Sequence, residues 1–178
     1  MELSEAVRRR RMVRGYDPGR AVDPAVLDRL LREALRAPSA GHAQGRDLLV
    51  LREAGDRERF WALARRHAEL PPRASAAPDG GSAWLAGMRT APVLVVVLSS
   101  PAAYLERYAE ADKGWADRDP ARWPVPFWDV DAGMVVHQLL LSVVDAGLGA
   151  CFFGVPAGAH EPLKAAFGVP AERRVVGV

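Results

Sequence analysis

Apolar residues recur at helical spacing in several stretches of the chain. The clearest helix is predicted from residue 24, because Asp23 can cap it, Pro24 suits its first position and Pro38 follows its end. Its apolar face comprises Val26, Leu27, Leu30, Leu31, Ala34 and Leu35. The same spacing predicts further helices over 2–10, with Leu3, Ala6 and Val7 on one stripe, over 56–67, with Phe60, Trp61, Leu63 and Ala64 buried, and over 160–167, closed by Gly168.

A long apolar helix is predicted after Asp129, which can cap its N-terminus, while Gly147 can end it. The side chains that we expect to point inward are Met134, His137, Leu140, Leu141 and Val144.

One segment predicts a strand buried on both faces. Val93 to Leu98 is an unbroken run of β-branched residues and leucine, as in the centre of a sheet. Shorter candidate strands lie at 47–51, 149–153 and 174–178. Helices and strands alternate without the regular spacing of βαβ units, which favours an α+β fold in which helices cover one sheet. We expect a single domain over residues 1–178.

Two segments show no periodicity. Residues 70–82 are rich in Pro, Ala, Gly and Ser and are predicted to form a loop that could act as a lid. Residues 110–128 carry Trp115, Trp123 and Trp128 among prolines and charges, and we expect them to roof a substrate site.

Composition excludes several classes of function. The 24 Lys and Arg nearly balance the 22 Asp and Glu, so the net charge of +2 does not predict nucleic-acid binding. No run of about 18 apolar residues is present, and the N-terminus lacks the apolar core of a secretory signal. The lone Cys151 cannot form an internal disulfide and is interpreted as packing. These features predict a cytoplasmic protein that binds no membrane.

Two short motifs could carry chemistry. Arg10, Arg11 and Arg14 offer planar guanidinium groups that can grip a phosphate, although a solvated basic patch has the same composition. In the loop over 37–45, Ser39, His42 and Gln44 could hydrogen-bond the edge of a flat ligand. The same residues could equally form an ordinary connection between a helix and a strand. No catalytic triad, carboxylate pair or metal-ligand spacing is evident, so we assign no catalytic side chain and no metal.

Taken in this order, the two motifs resemble the nitroreductase family of FMN-dependent enzymes. Thr90-Ala91-Pro92, Asp131 and residues 146–151 resemble later landmarks of that family. The resemblance implies a nitroreductase-like α+β fold with a central, mostly antiparallel sheet covered by helices. It also implies a homodimer that holds FMN between its subunits.

The resemblance also implies site residues. Arg10, Arg11, Met12 and Arg14 would lie at the FMN phosphate and ribityl chain. The partner subunit would contribute Pro38, Ser39, Ala40 and His42, and Gln44 is a further cofactor-binding residue. Phe152, Phe153 and Gly154 would pass their backbone beside the isoalloxazine. Met12 replaces a common Ser, His42 replaces a common Asn, a common acidic residue is absent near Gly154, and the chain ends at Val178 before the usual Lys or Arg of the phosphate site.

The implied reaction passes a hydride from NADH or NADPH through the flavin to a small oxidant, such as a quinone or a nitroaromatic compound. Some relatives of the family fragment flavin, dehalogenate aromatics or act on a deazaflavin, and nothing in these residues excludes such a reaction. A flavin-binding domain without turnover is the alternative from a different class, because of the departures at Met12, His42 and the C-terminus and the absent acidic residue.

Overall fold

The computed structural model describes residues 1–67 and 83–178. Within these residues, the chain forms helices and three strands. They are α1 (Leu3–Arg9), α2 (Pro24–Ala34), β1 (Arg46–Leu51), α3 (Ala54–Arg66), α4 (Ala83–Met88), β2 (Leu94–Ser99), α5 (Pro101–Ala109), α6 (Phe127–Asp145), α7 (His160–Ala166) and β3 (Arg174–Gly177). The predicted lid over 70–82 lies outside the described residues.

The three strands form one antiparallel sheet in the order β1-β2-β3. Leu49 of β1 lies opposite Val96 of β2, and Leu98 of β2 lies opposite Val175 of β3. The strand predicted from the apolar run is therefore the central one, and all its residues except Val95 are buried. Helices combined with a small antiparallel sheet confirm the α+β prediction.

Alternating residues of β2 pack in two hydrophobic cores, because successive side chains of a strand point to opposite faces of the sheet. Val96 and Leu98 pack in a cluster with Phe60 and Trp61 of α3 and with Leu163 of α7. On the other face, Val97 packs with Ala132, Val136 and Leu140 of α6. The sheet is thus covered by helices on both faces.

Helix α2 begins as its sequence predicts. One carboxylate oxygen of Asp23 accepts hydrogen bonds from the backbone nitrogens of Ala25, at 2.8 Å, and Val26, at 3.2 Å. Pro24 occupies the first helical position, where no N–H is needed. Leu27, Leu30 and Ala34 are buried, whereas Leu35 is exposed.

Helix α6 corrects two predictions. It begins at Phe127, so Asp129 lies in its first turn and does not cap it. The Asp129 carboxylate instead accepts from Ser99 Oγ at 2.7 Å and pairs with Arg174 at 3.4 Å. His137 is exposed, whereas Leu140 is buried as predicted. The buried residues of α6 are Trp128, Asp131, Ala132, Val135, Val136, Leu140 and Val143.

Among the described residues, α6 is the one helix whose length and mean hydropathy would allow it to cross a membrane. Its buried stripe packs on the sheet and on α2, as in the core helix of a globular protein.

One helix was not predicted, and two further predictions differ from the structure. The unpredicted helix is α5, although Ser100 caps it by accepting from the backbone nitrogen of Ala103 at 3.3 Å. Residues 149–153 form no strand and make only an isolated bridge between Ala150 and Met12, together with a backbone pair to Val178. In α1, only Ala6 of the predicted stripe is buried, since Leu3 and Val7 are exposed.

Candidate flavin-binding site

The arginine segment, residues 10–14, leaves α1 and pairs with Ala150. Arg10 is the C-cap of α1, and Val13 donates its backbone N–H to the carbonyl of Ala150 at 2.9 Å. Met12 forms a parallel bridge with Ala150. The structure therefore brings the arginine segment next to Ala150, some 140 positions away in the sequence and a few residues before Phe153 and Gly154.

Tyr16 and Thr90 hold the end of this segment. The Tyr16 hydroxyl donates to the carbonyl of Val13 at 2.7 Å, and the Tyr16 backbone N–H donates to Thr90 Oγ1 at 3.0 Å. Burial raises the pKa of Tyr16 to about 12, so the hydroxyl remains a donor at neutral pH. Gly87 packs closely here, because a Cβ at that position would lie 2.1 Å from the carbonyl oxygen of Arg14.

The side chain of Arg10 has the features of an anion ligand. Its Nη1 is buried and, among the described residues, has no hydrogen-bond partner. A buried donor without a partner costs free energy, and a phosphate oxygen would remove that cost. Arg11 and Arg14 are exposed, and Arg14 Nη1 makes only a 3.4 Å contact with the carbonyl of Met12. These residues fit a phosphate group, with Arg10 as the most constrained ligand.

The second motif forms a tight loop with an unusual backbone. Gly41, His42 and Gln44 all have left-handed φ angles, of 59°, 58° and 55°. Ser39 Oγ accepts from the backbone nitrogen of Gln44 at 2.9 Å, and Gln44 Nε2 lies 3.1 Å from His42 Nδ1. Pro38, His42 and Gln44 are exposed. The loop thus offers backbone and side-chain polar groups at the surface.

Contacts from α5 and α6 fix this loop. Asp131 Oδ2 accepts from the Ala40 backbone nitrogen at 2.7 Å and from the Tyr104 hydroxyl at 2.6 Å. Arg107 Nε donates to the carbonyl of Gly41 at 2.9 Å. Burial is the main cause that raises the pKa of Tyr104 above its ordinary value, and the hydrogen bond to Asp131 raises this pKa further. The Tyr104 hydroxyl therefore stays protonated.

Of these supports, the sequence singled out Asp131 alone, and only as a family landmark. Its position inside an apolar helix was the available signal, because a buried carboxylate needs donors around it. Nothing in the sequence marked Tyr104 or Arg107 as supports of the same loop.

The side chain of Phe153 packs in the core, and its backbone pairs with the C-terminal residue. Its ring stacks on Trp61, with ring centroids 5.5 Å apart and planes 11° apart, so the side chain belongs to the core. Its N–H and carbonyl both pair with Val178 at 2.9 Å. The next residue, Gly154, is exposed. A backbone donor for a ligand at this place is therefore expected from Gly154, not from Phe153.

One cavity among the described residues, of about 340 Å³, is separate from the arginine groups. It lies between β2, α6 and the residues that follow Val13, and its wall is mainly apolar. Phe152 and Phe153 are the predicted site residues that line it. The exposed polar groups of the two motifs, rather than this cavity, define the candidate site.

The three tryptophans of the segment over 110–128 pack on one another and on α5. Trp123 contacts Tyr108, Trp115 and Trp128, with ring centroids 4.6, 5.5 and 5.9 Å away. The cluster lies behind the loop, since a Cβ on Gly41 would come within 2.5 Å of the Tyr108 ring. Their role over a substrate stays a prediction.

The structure does not bring the two motifs together within one chain. No hydrogen bond between described residues joins the loop to the arginine segment. The loop is tied to Asp131 near the start of α6, whereas the arginine segment lies beside Ala150, just beyond its end. Asp131 and Asp145 are separated by about 21 Å along the helix, at 1.5 Å per residue.

Comparison with known proteins gives the family. The model of the nitroreductase family matches residues 7–178. No curated protein matches the sequence at a significant level. Among solved structures, a protein from Exiguobacterium sibiricum 255-15 assigned as a nitroreductase, in complex with FMN, has a TM-score of 0.75 at 20% identity. That match covers 99% of this chain and 85% of the other.

Two more structures share the fold. Nitroreductase CinD from Lactococcus lactis, in complex with nicotinic acid, has a TM-score of 0.73 at 19% identity, over 99% of this chain and 86% of the other. A protein from Clostridium acetobutylicum assigned as an NADH oxidase has a TM-score of 0.66 at 20% identity, over 97% of this chain and 82% of the other. The arginine segment, the Pro-Ser loop and the family match over nearly the whole sequence lead to one conclusion: this chain belongs to the nitroreductase family.

Proposed function

We propose that this chain is an FMN-dependent oxidoreductase that takes electrons from NADH or NADPH and passes them to a small aromatic oxidant, such as a quinone or a nitro compound. The observation that carries the proposal is the Nη1 of Arg10, which is buried and has no hydrogen-bond partner among the described residues, in the segment that pairs with Ala150. The FMN complex of the Exiguobacterium sibiricum protein with the same fold supports the choice of cofactor.

When bound, FMN supplies the redox chemistry, accepting a hydride and then giving up its electrons. The residues of this chain bind and orient the cofactor. Arg10 would hold the phosphate, with Arg11 and Arg14 adding positive charge from the surface. The N–H of Gly154 would face the ring edge, since that of Phe153 is already donated to Val178.

The loop over 38–44 would complete the site from the second subunit. Ser39 Oγ already accepts from Gln44, and His42 Nδ1 lies beside Gln44 Nε2, so the remaining polar groups of these side chains can turn to the ligand. In this arrangement the protein needs no acid or base of its own, because the flavin carries the chemistry.

We propose that the active form is a homodimer. Several large apolar side chains lie at the surface of the chain by itself, and burying them against a second copy would be favourable. They include Leu3, Val7, Leu35, Val125, Phe127 and Val130. Light scattering at low protein concentration tests this proposal, which predicts the mass of two chains; a monomer would refute it.

Steady-state turnover tests the proposed reaction. Purified protein loaded with FMN should oxidise NADH or NADPH in the presence of a quinone, and omission of FMN should abolish the rate. A yellow protein that binds FMN but oxidises neither nucleotide with any quinone or nitroaromatic would instead be a flavin-binding domain without turnover.

A further inference from the structure

Asp131 is the most deeply buried carboxylate among the described residues that bears on the proposed site. It is 1% exposed, and its Oδ2 accepts from the Ala40 backbone N–H and from the Tyr104 hydroxyl. A charge is buried at a high cost unless hydrogen bonds compensate it. The contact with Ala40 spans 91 positions of sequence and connects α6 directly to the loop over 38–44.

The loop needs such external support. Side chains with a Cβ disfavour left-handed φ, yet His42 and Gln44 both adopt it within four residues of Ala40. Strained conformations of this kind persist when surrounding contacts hold them. Here the contacts are those of Asp131 with Ala40 and of Arg107 with the carbonyl of Gly41. Through its Oδ2, Asp131 acts on the loop backbone.

We infer that Asp131, assisted by Tyr104, is a positioning residue for the flavin whose phosphate is held by Arg10 of the other subunit. This inference rests on the proposed function and on the proposed dimer. Its structural basis is the separation within one chain: Asp131 and the loop lie near the start of α6, whereas the arginine segment lies past its end. Each subunit therefore supplies arginines to one site and the Asp131-supported loop to the other.

A subunit-complementation experiment tests the inference. Arg10→Ala and Asp131→Val are prepared as homodimers, and a heterodimer with one copy of each is isolated by two different affinity tags. Each homodimer is expected to bind FMN about tenfold more weakly or worse, because every site lacks one charged hydrogen-bonding group. In the heterodimer, one site carries both substitutions and the other carries neither.

The heterodimer should therefore bind about one FMN per dimer with an affinity close to that of the unsubstituted protein. If Asp131 acted only within its own subunit, both sites of the heterodimer would be defective and no tight binding would return. That result would overturn the inference, as would an Asp131→Val homodimer with unchanged FMN affinity.

Two controls keep the test decisive. Asp129→Val removes a carboxylate two residues away on the same helix, one that bonds Ser99 and not the loop, and it should change FMN affinity less than about twofold. If Asp131→Val does not fold, Tyr104→Phe takes its place in the heterodimer. It keeps the ring but removes one hydrogen bond to Asp131, and it should weaken FMN binding about threefold, with the same recovery.

Failure of the inference and failure of the proposed function are distinguishable. Absence of FMN binding in the unsubstituted protein would overturn the proposed function. Tight FMN binding there, with no recovery in the heterodimer, would overturn only the role of Asp131.

Discussion

The indole of Trp61 lies parallel to the ring of Phe153, with 5.5 Å between the ring centroids. Phe60 meets the same Phe153 ring edge-on, at 6.5 Å. This relationship places the Phe153 side chain in the core while its backbone continues to Gly154 at the candidate site. The aromatic ring therefore stabilises the fold, and the backbone that follows it serves the ligand.

Replacement of Phe153 should separate stability from cofactor binding. Phe153→Leu keeps an apolar side chain but loses the stacking on Trp61, and Phe153→Ala removes most of the buried surface. We expect Phe153→Ala to lower the free energy of unfolding by about 2–3 kcal/mol and Phe153→Leu by about 1 kcal/mol. Urea unfolding measures the stability, and FMN titration of the folded protein should show affinities within about threefold of the original. A loss of FMN binding without loss of stability would assign the ring to the ligand.

Arg10 should be distinguishable from its neighbour Arg9. Arg10→Ala removes a guanidinium whose buried Nη1 has no partner in the described part of the chain, and we expect FMN affinity to fall about tenfold to a hundredfold. Arg9→Ala breaks an exposed ion pair with Glu5 on the same helix. A surface pair of this kind contributes about 0.5 kcal/mol to stability, and we expect its loss to change FMN affinity less than twofold. FMN fluorescence titration measures both. Equal effects of the two substitutions would mean that the segment acts only through its overall charge.

Gly87 should tolerate no side chain. In Gly87→Ala the new Cβ would lie 2.1 Å from the carbonyl oxygen of Arg14, so the arginine segment must shift. We expect a loss of about 1–3 kcal/mol of stability and weaker FMN binding. Gly55→Ala is the matched control, because that helical glycine has no atom within 4 Å of its ideal Cβ. The control should be neutral or stabilising by up to about 1 kcal/mol, as thermal unfolding can show. A neutral Gly87→Ala would refute the close packing.

Tyr16 should make stability depend on pH in the alkaline range. Its pKa is about 12 in the folded protein, against the ordinary value of 10.0, because burial disfavours the phenolate. The unfolded chain therefore loses this proton first as the pH rises. The stabilisation is fully present below pH 10.0 and is lost as the pH rises through about 12.

Tyr16→Phe isolates this contribution, since all other alkaline groups remain. It should cost about 1 kcal/mol at neutral pH, by loss of the hydrogen bond to Val13. Between about pH 9 and pH 11, its free energy of unfolding in urea should fall less steeply than that of the original protein. Parallel curves for the two proteins would show that the Tyr16 hydroxyl is not held as described.

Local signals in the sequence predicted much of the fold. Asp23 and Pro24 act together as cap and first residue, and the run before Ser99 is the central strand, because both patterns depend on neighbouring residues alone. Ser100 and Pro101 repeat the cap-and-proline pattern and begin α5, so this helix was also readable. Its apolar face was too narrow to identify by periodicity, since Tyr104 is its one buried residue.

The remaining differences depend on contacts that are distant in sequence. Asp129 was predicted to cap α6, but Ser99 and Arg174 determine its position. The prediction of a strand over 149–153 was wrong because Met12 and Val178 supply only single pairings there. The support of the loop by Asp131 and Tyr104 could not be read from spacing, since the partners come from three separate parts of the chain.

The most direct test of the account is an anaerobic titration of the FMN-loaded protein with NADH and then with NADPH, followed by visible absorption. The account predicts that one of the two nucleotides bleaches the bound flavin at close to one equivalent per FMN, and that a quinone restores the colour. Tight binding of FMN without bleaching by either nucleotide would contradict the proposed oxidoreductase activity.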